Sequence, residues 1–335
     1  MWYIGLDVHW RTSSVCILDG NGNRVKQETI KGSWQKLLGY FKKLPRPFVV
    51  CYEASCGYGH LYDQLRKMAR RVVVAHPGQL RLIFRSKRKN DRIDAERLAK
   101  LLYLGEVPPV YVPSLEVRSW RQMIEYRRRL IDKRTRCKNG IRTLLRSFGI
   151  EQPRGLWARK RRSWLQSLSL PTAWAAVQRD LLVEELDQFD GQVDRITCAL
   201  DQMGRNHPGV IVLQTIPGVG PRTSEAVVAY IDDPERFERN RQVGSYFGLV
   251  PCQDSSASVN RLGHITKEGP ATPRKFLVEA SWQVIRRCPV ARAQFDRIAA
   301  GKPDRRKVAL IATAHWLLRC MHSMLRTGEV WRHVA

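Results

Sequence analysis

Acidic residues are scarce in this chain. Against 58 Lys and Arg it carries 31 Asp and Glu in 335 residues, a formal net charge of +27. That excess is larger than solubility asks for, and a polyanionic partner is the simplest way to offset it. Paired cysteines are missing too. Cys16, Cys51, Cys56, Cys137, Cys198, Cys252, Cys288 and Cys320 form no Cys-x-x-Cys pair, so zinc ligation has no support and disulfides are not expected in a reducing compartment. The eight histidines are equally dispersed; His315 and His322 lie seven apart in a helical pattern and read as structural or solvated rather than ligating. No apolar run has the length of a membrane span, and MWYIGLDVHW has neither the basic start nor the cleavage site of a secretory leader. These absences predict a soluble, cytoplasmic chain with no membrane partner. Its 43% hydrophobic content and its length allow two or three packed domains.

The few acids that are present stand in unusual places. Asp7 in YIGLDVH and Glu53 in FVVCYEAS interrupt or end short apolar, β-prone runs, where a charge is costly unless a cation compensates it. Asp91 and Asp94 in KNDRIDAERLAKLL stand three apart at the start of an expected helix, so they share a face and can approach one ion. Hard divalent cations with oxygen ligands, Mg²⁺ above all, suit such a set and serve phosphoryl transfer on a nucleic acid.

Residues 1–112 read as strands and helices in the order βββαβαβα, an RNase H-like α/β domain with the Asn-Gly turn signal of a hairpin between its second and third strands. The three prolines of VPPVYVPS mark an exit from it. Residues 113–207 read as a basic helical, coiled-coil-like region. Between Arg118 and Arg146 stand eleven Lys or Arg and only two acids, Glu125 and Asp132, which points to nucleic-acid backbone contact through residues such as Arg127, Arg128, Lys133 and Arg134. A second helical stretch follows, with Leu181, Leu182, Leu186, Phe189, Val193, Ile196 and Leu200 near heptad spacing; it can pair with the basic helix, with another subunit, or simply pack a core.

Residues 208–335 read as a mainly α domain. LQTIPGVGPRTSEAVVAYI has the pattern of a helix-hairpin-helix, in which Gly218 and Gly220 let backbone amides approach a phosphate. The polar segment QDSSASVNRLGH reads as a loop between apolar helices. It places Ser255, Ser256 and Ser258 near Arg261, Lys267 and Arg274, a setting suited to binding phosphate.

In their order along the chain, GLDVH, the Tyr-Glu-Ala strand, KNDRIDA, IPGVG, FGLVP, SSA, RLGHITKEG and SW resemble one family. It is that of the insertion-sequence transposases that join a DEDD RNase H-like domain to a serine-bearing transposase domain, the recombinases guided by a bridge RNA. The resemblance implies that Asp7, Glu53, Asp91 and Asp94 are the catalytic DEDD acids holding Mg²⁺. It also implies that Ser256 is the nucleophile, with Ser255 as second candidate, since this chain has Ser-Ser-Ala where the family shows Ser-Ser-Gly. Further implications are a covalent phosphoserine link to DNA, target and donor DNA chosen by a structured guide RNA, and a site assembled between the subunits of a tetramer. Two readings compete with it. A metal-dependent nuclease similar to Holliday-junction resolvases needs only the acids and the basic surface, and a non-enzymatic nucleic-acid-binding protein needs only the charge. An actin-like ATPase shares the topology but lacks a second Gly-rich phosphate loop here.

Overall fold

A computed structural model describes residues 1–84, 90–256 and 259–332. The chain divides into two compact units, Met1–Arg118 and Ser119–Ala335.

In the first unit, β1 (Trp2–Val8), β2 (Thr12–Leu18) and β3 (Arg24–Lys31) form the expected meander. They are followed by α1 (Trp34–Lys42), β4 (Phe48–Glu53), α2 (Tyr58–Leu65), β5 (Arg71–Ala75), α3 (Pro77–Ile83) and α4 (Asp91–Leu104). The five strands make one mixed sheet in the order β3-β2-β1-β4-β5. β1 runs antiparallel to β2 and parallel to β4, the RNase H-like arrangement. Period-two alternation decides which face each residue buries. Phe48, Val50 and Tyr52 join Ile4, Leu6, Leu37, Phe41, Leu61 and Leu65 in a core with α1 and α2. Val49 and Cys51 turn the other way, into a core with Leu98, Leu101 and Leu102 of α4. Both faces are therefore covered, which is why β4 reads as a continuous apolar run. The proline-rich segment lies along the free edge of β5, where Val110 N–H donates to the Val74 carbonyl at 2.7 Å.

Helices follow from the end of the first unit: α5 (Leu115–Ser147), α6 (Arg159–Ser167), α7 (Ala173–Arg205), α8 (Pro208–Gln214), α9 (Pro221–Ile231) and α10 (Gln242–Tyr246). After β6 (Pro251–Ser256) and β7 (Val259–Ile265) come α11 (Ala271–Arg287), α12 (Pro289–Ala299) and α13 (Arg306–Thr327). Cys137, Ile141 and Leu145 of α5 share a core with Leu165 of α6 and with Val183 and Leu186 of α7, so the basic helix and the heptad-like helix pack on one another within one chain. A second core joins Trp120 and Ile124 to Leu200, to α8 and α9, and to α11 and α13.

Two sequence expectations change. The serine segment is not a loop between helices; Pro251–Ser256 and Val259–Ile265 pair as an antiparallel hairpin. Its strands carry no apolar alternation because Gln253, Asp254 and Arg261 face solvent, so no pattern announced them. The stretch Pro303–Thr327 is long and apolar enough, by length and composition, to cross a membrane, although no continuous apolar run suggested one; half of its most apolar window is buried inside the fold. All eight cysteines are free; Cys16, Cys51, Cys137 and Cys288 are buried, whereas Cys56, Cys198 and Cys252 are exposed. His322 is structural: it is buried, with Nδ1 3.0 Å from Asn240 Oδ1 and Nε2 2.9 Å from the Pro234 carbonyl.

Candidate active site

The four acids come from three elements that end at one edge of the sheet. The last paired positions of β1 and β4 are Leu6 and Tyr52, so Asp7 and Glu53, each the next residue, emerge side by side at the C-terminal edge of two parallel strands. Helix α4 brings the other two. Asp91 and Asp94 lie in its first turn, where the helix dipole favours negative charge, behind an Asn90 cap whose Oδ1 accepts from Arg92 N–H at 3.0 Å.

What seats that turn over Asp7 is Gly5. A Cβ there would stand 2.0 Å from the Ala95 carbonyl oxygen and 2.4 Å from Ala99 N, so α4 crosses β1 backbone to backbone. Only glycine permits so close an approach.

The local electrostatics record the convergence. Burial pushes the Asp7 carboxyl up to about 6; His9 pulls it down, while the charges of Asp91, Asp94 and Glu53 each push it further up. Like charges gathered around a half-buried carboxylate raise its pKa, and a bound cation reverses that effect. His9 is the group that sequence reasoning missed. Its Nε2 lies 3.6 Å from Asp7 Oδ2 and 3.6 Å from Asp91 Oδ2. One ligand atom from each of Asp7, His9 and Asp91 falls within 4.8 Å of the others. For an octahedral ion with ligands at about 2.1 Å, neighbouring ligand atoms are about 3.0 Å apart and opposite ones about 4.2 Å, so the donor set fits a small divalent cation with slight contraction. His9 lies just past the end of β1, where strand alternation no longer assigns a face, so GLDVH by itself did not mark it. Glu53 is exposed, and Asp94 is 3.4 Å from Arg97 Nη1.

The residues read as nucleic-acid contacts divide into two groups. Several are occupied within the chain. Arg128 pairs with Asp132 at 2.7 Å and Glu125 at 3.3 Å, Arg134 with Asp190 at 3.1 Å, and Arg127 Nε donates to Thr197 Oγ1 at 2.8 Å. Arg274 is spent on carbonyls, donating to Phe247 at 2.8 Å, Glu268 at 2.7 Å and Lys267 at 3.0 Å. At Gly218, φ is +94° and a Cβ would stand 2.8 Å from backbone carbon of Gln283, so this glycine serves the approach of α11. Other positions face solvent. Lys133 is exposed beside Tyr126, Arg129 and Arg136, which follow one another at helical spacing along α5. Gly220, the N-cap of α9, has nothing within 4 Å of its missing side chain. Arg261 is exposed on β7, and Lys267 is exposed with φ of 55°.

Ser255 and Ser256 occupy the last two paired positions of the hairpin, opposite Asn260 and Val259; Ser258 lies outside the described residues.

Residues 4–150 match the family profile of the DEDD transposase domain of IS110 elements, described as "Transposase". Residues 211–296 match the profile described as "Transposase IS116/IS110/IS902 family". Similar proteins include a "Probable family 20 transposase" of Pseudomonas aeruginosa, 28% identical over 93% of this chain and 92% of its own length. The "Transposase for insertion sequence element IS1111A" of Coxiella burnetii is 27% identical over 84% of this chain and 78% of its own. For the "Transposase for insertion sequence element IS1328" of Yersinia enterocolitica the figures are 23%, 93% and 92%.

Proposed function

Since this chain belongs to the IS110/IS1111 family of transposases, with an N-terminal DEDD domain and a C-terminal domain of the IS116/IS110/IS902 type, we propose that it cuts and rejoins DNA through a serine nucleophile assisted by Mg²⁺ at the acid cluster. The convergence of Asp7 with Glu53, Asp91 and Asp94 is the observation that carries the reading. A DEDD domain implies a divalent metal. Asp7, Glu53, Asp91 and Asp94 would hold it, with His9 beside them, and when bound it supplies positive charge to offset the negative charge of the phosphoryl transition state.

The chain's own groups have defined tasks in this proposal. Ser256, with Ser255 as the alternative, supplies the hydroxyl. Its Oγ forms a bond to phosphorus, the phosphorus–oxygen bond to the leaving deoxyribose breaks, the serine gives up its proton and the leaving oxygen takes one. The phosphoserine link keeps the bond energy for joining to a second strand. Arg261, exposed on β7 next to the serine pairs, and Lys267, exposed beyond the base of the hairpin, hold the DNA backbone. The turn before α9 acts as a helix-hairpin-helix, with Gly220 on its open side next to the helix N-terminus. The exposed face of α5 at Arg129, Lys133 and Arg136 grips a structured guide RNA, whose base pairing selects target and donor DNA. A tetramer working in the cytoplasm brings serine and acids to one DNA.

The test is strand exchange by purified protein with its RNA and DNA carrying the element ends. Asp7→Asn and Asp91→Asn should fold as the parent does and give no joined product. Normal exchange by either variant in Mg²⁺ would remove the metal-site assignment, and hydrolysis without joining would favour the resolvase-like nuclease.

A further inference from the structure

Immediately beyond the acid cluster the backbone presents an indole to solvent. Trp10, the residue after His9, is 75% exposed. It is not a loose surface side chain. Its ring meets that of Trp34 edge to face, with centroids 5.5 Å apart, and Trp34 in turn stacks on His60 at 6.2 Å and 14°. Trp34 is itself fixed, because its Nε1–H donates to the carbonyl of His9 at 3.1 Å. Gly57 lies under Trp34 in the left-handed region at φ +78°, where a Cβ would stand 2.4 Å from the indole. One chain of contacts therefore runs from His9, beside Asp7 and Asp91, through Trp34 to an open ring face on Trp10.

We propose that Trp10, backed by Trp34, is a stacking platform for a nucleobase flanking the phosphodiester that reacts at the acid cluster. The inference rests on the reading of the chain as a DNA-cutting transposase and adds a base-binding subsite to it. Aromatic faces accept any base by stacking, and a base can be offered only where the strand is locally unpaired, as a strand being cut and exchanged must be. The surroundings favour a nucleotide over a protein partner. Protein hot spots sit inside apolar patches sealed from water, whereas His9, Arg11 and His60 around this ring are polar and exposed. Arg11 adds a cation for the neighbouring phosphate. The pre-ordered ring pair loses little conformational freedom on binding.

The experiment uses the full chain and single-stranded oligonucleotides of the element's own end, each with one iodouracil at a successive position, irradiated and mapped by peptide mass spectrometry. Crosslinks to Trp10 should come from one or two adjacent positions. An abasic site there should weaken binding by the parent about tenfold, the scale of one base–aromatic stack. Trp10→Ala should bind about tenfold more weakly and be indifferent to the abasic site, and Trp10→Phe should recover most of the loss. Oligonucleotides that bind and are cut with a flat abasic scan and no Trp10 crosslink would overturn the platform while leaving the transposase reading intact. A Trp10 crosslink to a second copy of the chain would overturn it in favour of a protein interface. Failure to bind any of the DNA would defeat the parent reading, and this one with it.

Discussion

Replacing Gly5 by alanine tests whether the acid cluster is assembled by packing. The added Cβ meets the backbone of Ala95 and Ala99, not a side chain that can swing aside. Moving from 2.0 Å to an ordinary contact of 3.4 Å requires α4 to retreat from β1 by roughly 1.4 Å. Overpacking of this kind costs about 1–3 kcal/mol, and the rigid partner puts Gly5→Ala near the upper end. The functional loss should be larger than the stability loss suggests, because the retreat carries Asp91 and Asp94 away from Asp7. A misplacement of about 1 Å at a reacting site costs roughly 100-fold in rate. Urea denaturation gives the first quantity; calorimetric titration with Mn²⁺ and strand-exchange assays give the second. Gly39→Ala is the control, since Gly39 lies within α1 with nothing within 4 Å of its missing Cβ. It should be neutral or gain about 0.5–1 kcal/mol. Parental stability and metal affinity in Gly5→Ala would refute the packing argument.

Three further outcomes are expected. Burial raises Glu225 from 4.5 to about 7, against the opposing pull of Arg222, and with a push from Asp201. The folded chain therefore holds a proton that the unfolded chain releases, so this stabilising contribution is complete below about pH 4.5 and is lost as pH rises through 7. Glu225→Gln should flatten the stability profile over that window by about 2–3 kcal/mol, and an unchanged profile in denaturant titrations would contradict it. Metal affinity should fall about tenfold per pH unit below about 6, where Asp7 must lose a proton to bind; calorimetry at several pH values reads this, and constant affinity from pH 5 to 7 would exclude Asp7 as a ligand. The purified protein should keep one structured RNA in salt that strips bulk nucleic acid, and equal retention of unrelated RNAs would count against guidance.

Much of the first unit could be read from sequence because its residues follow period-two and helical rules with little conflict. Asp7 and Glu53 were conspicuous as charges closing apolar strands, and Asp91 with Asp94 as a pair on one helical turn. His9 was not, because a histidine after a strand carries no pattern of its own; its role depends on α4 arriving from more than eighty residues away. The basic helix illustrates the opposite difficulty. Counting charge cannot tell that Arg128 and Arg134 are paired with Asp132 and Asp190, whereas Arg129, Lys133 and Arg136 face water. Arg274 and Gly218 looked like ligand contacts because arginine and glycine serve phosphates and close backbone packing equally well. The serine hairpin escaped notice since Gln253, Asp254 and Arg261 face solvent and give no alternating apolar pattern.

The central claim is that serine and acid cluster act in one strand-exchange reaction, and the most direct measurement is capture of the protein on suicide DNA followed by mapping of the linked peptide. The account predicts a covalent adduct at Ser256 that requires Mg²⁺ and is absent from Ser256→Ala and Asp91→Asn, while both variants still bind DNA. Strand exchange by a chain with Ser255 and Ser256 both replaced, or an adduct at any other residue, would contradict it.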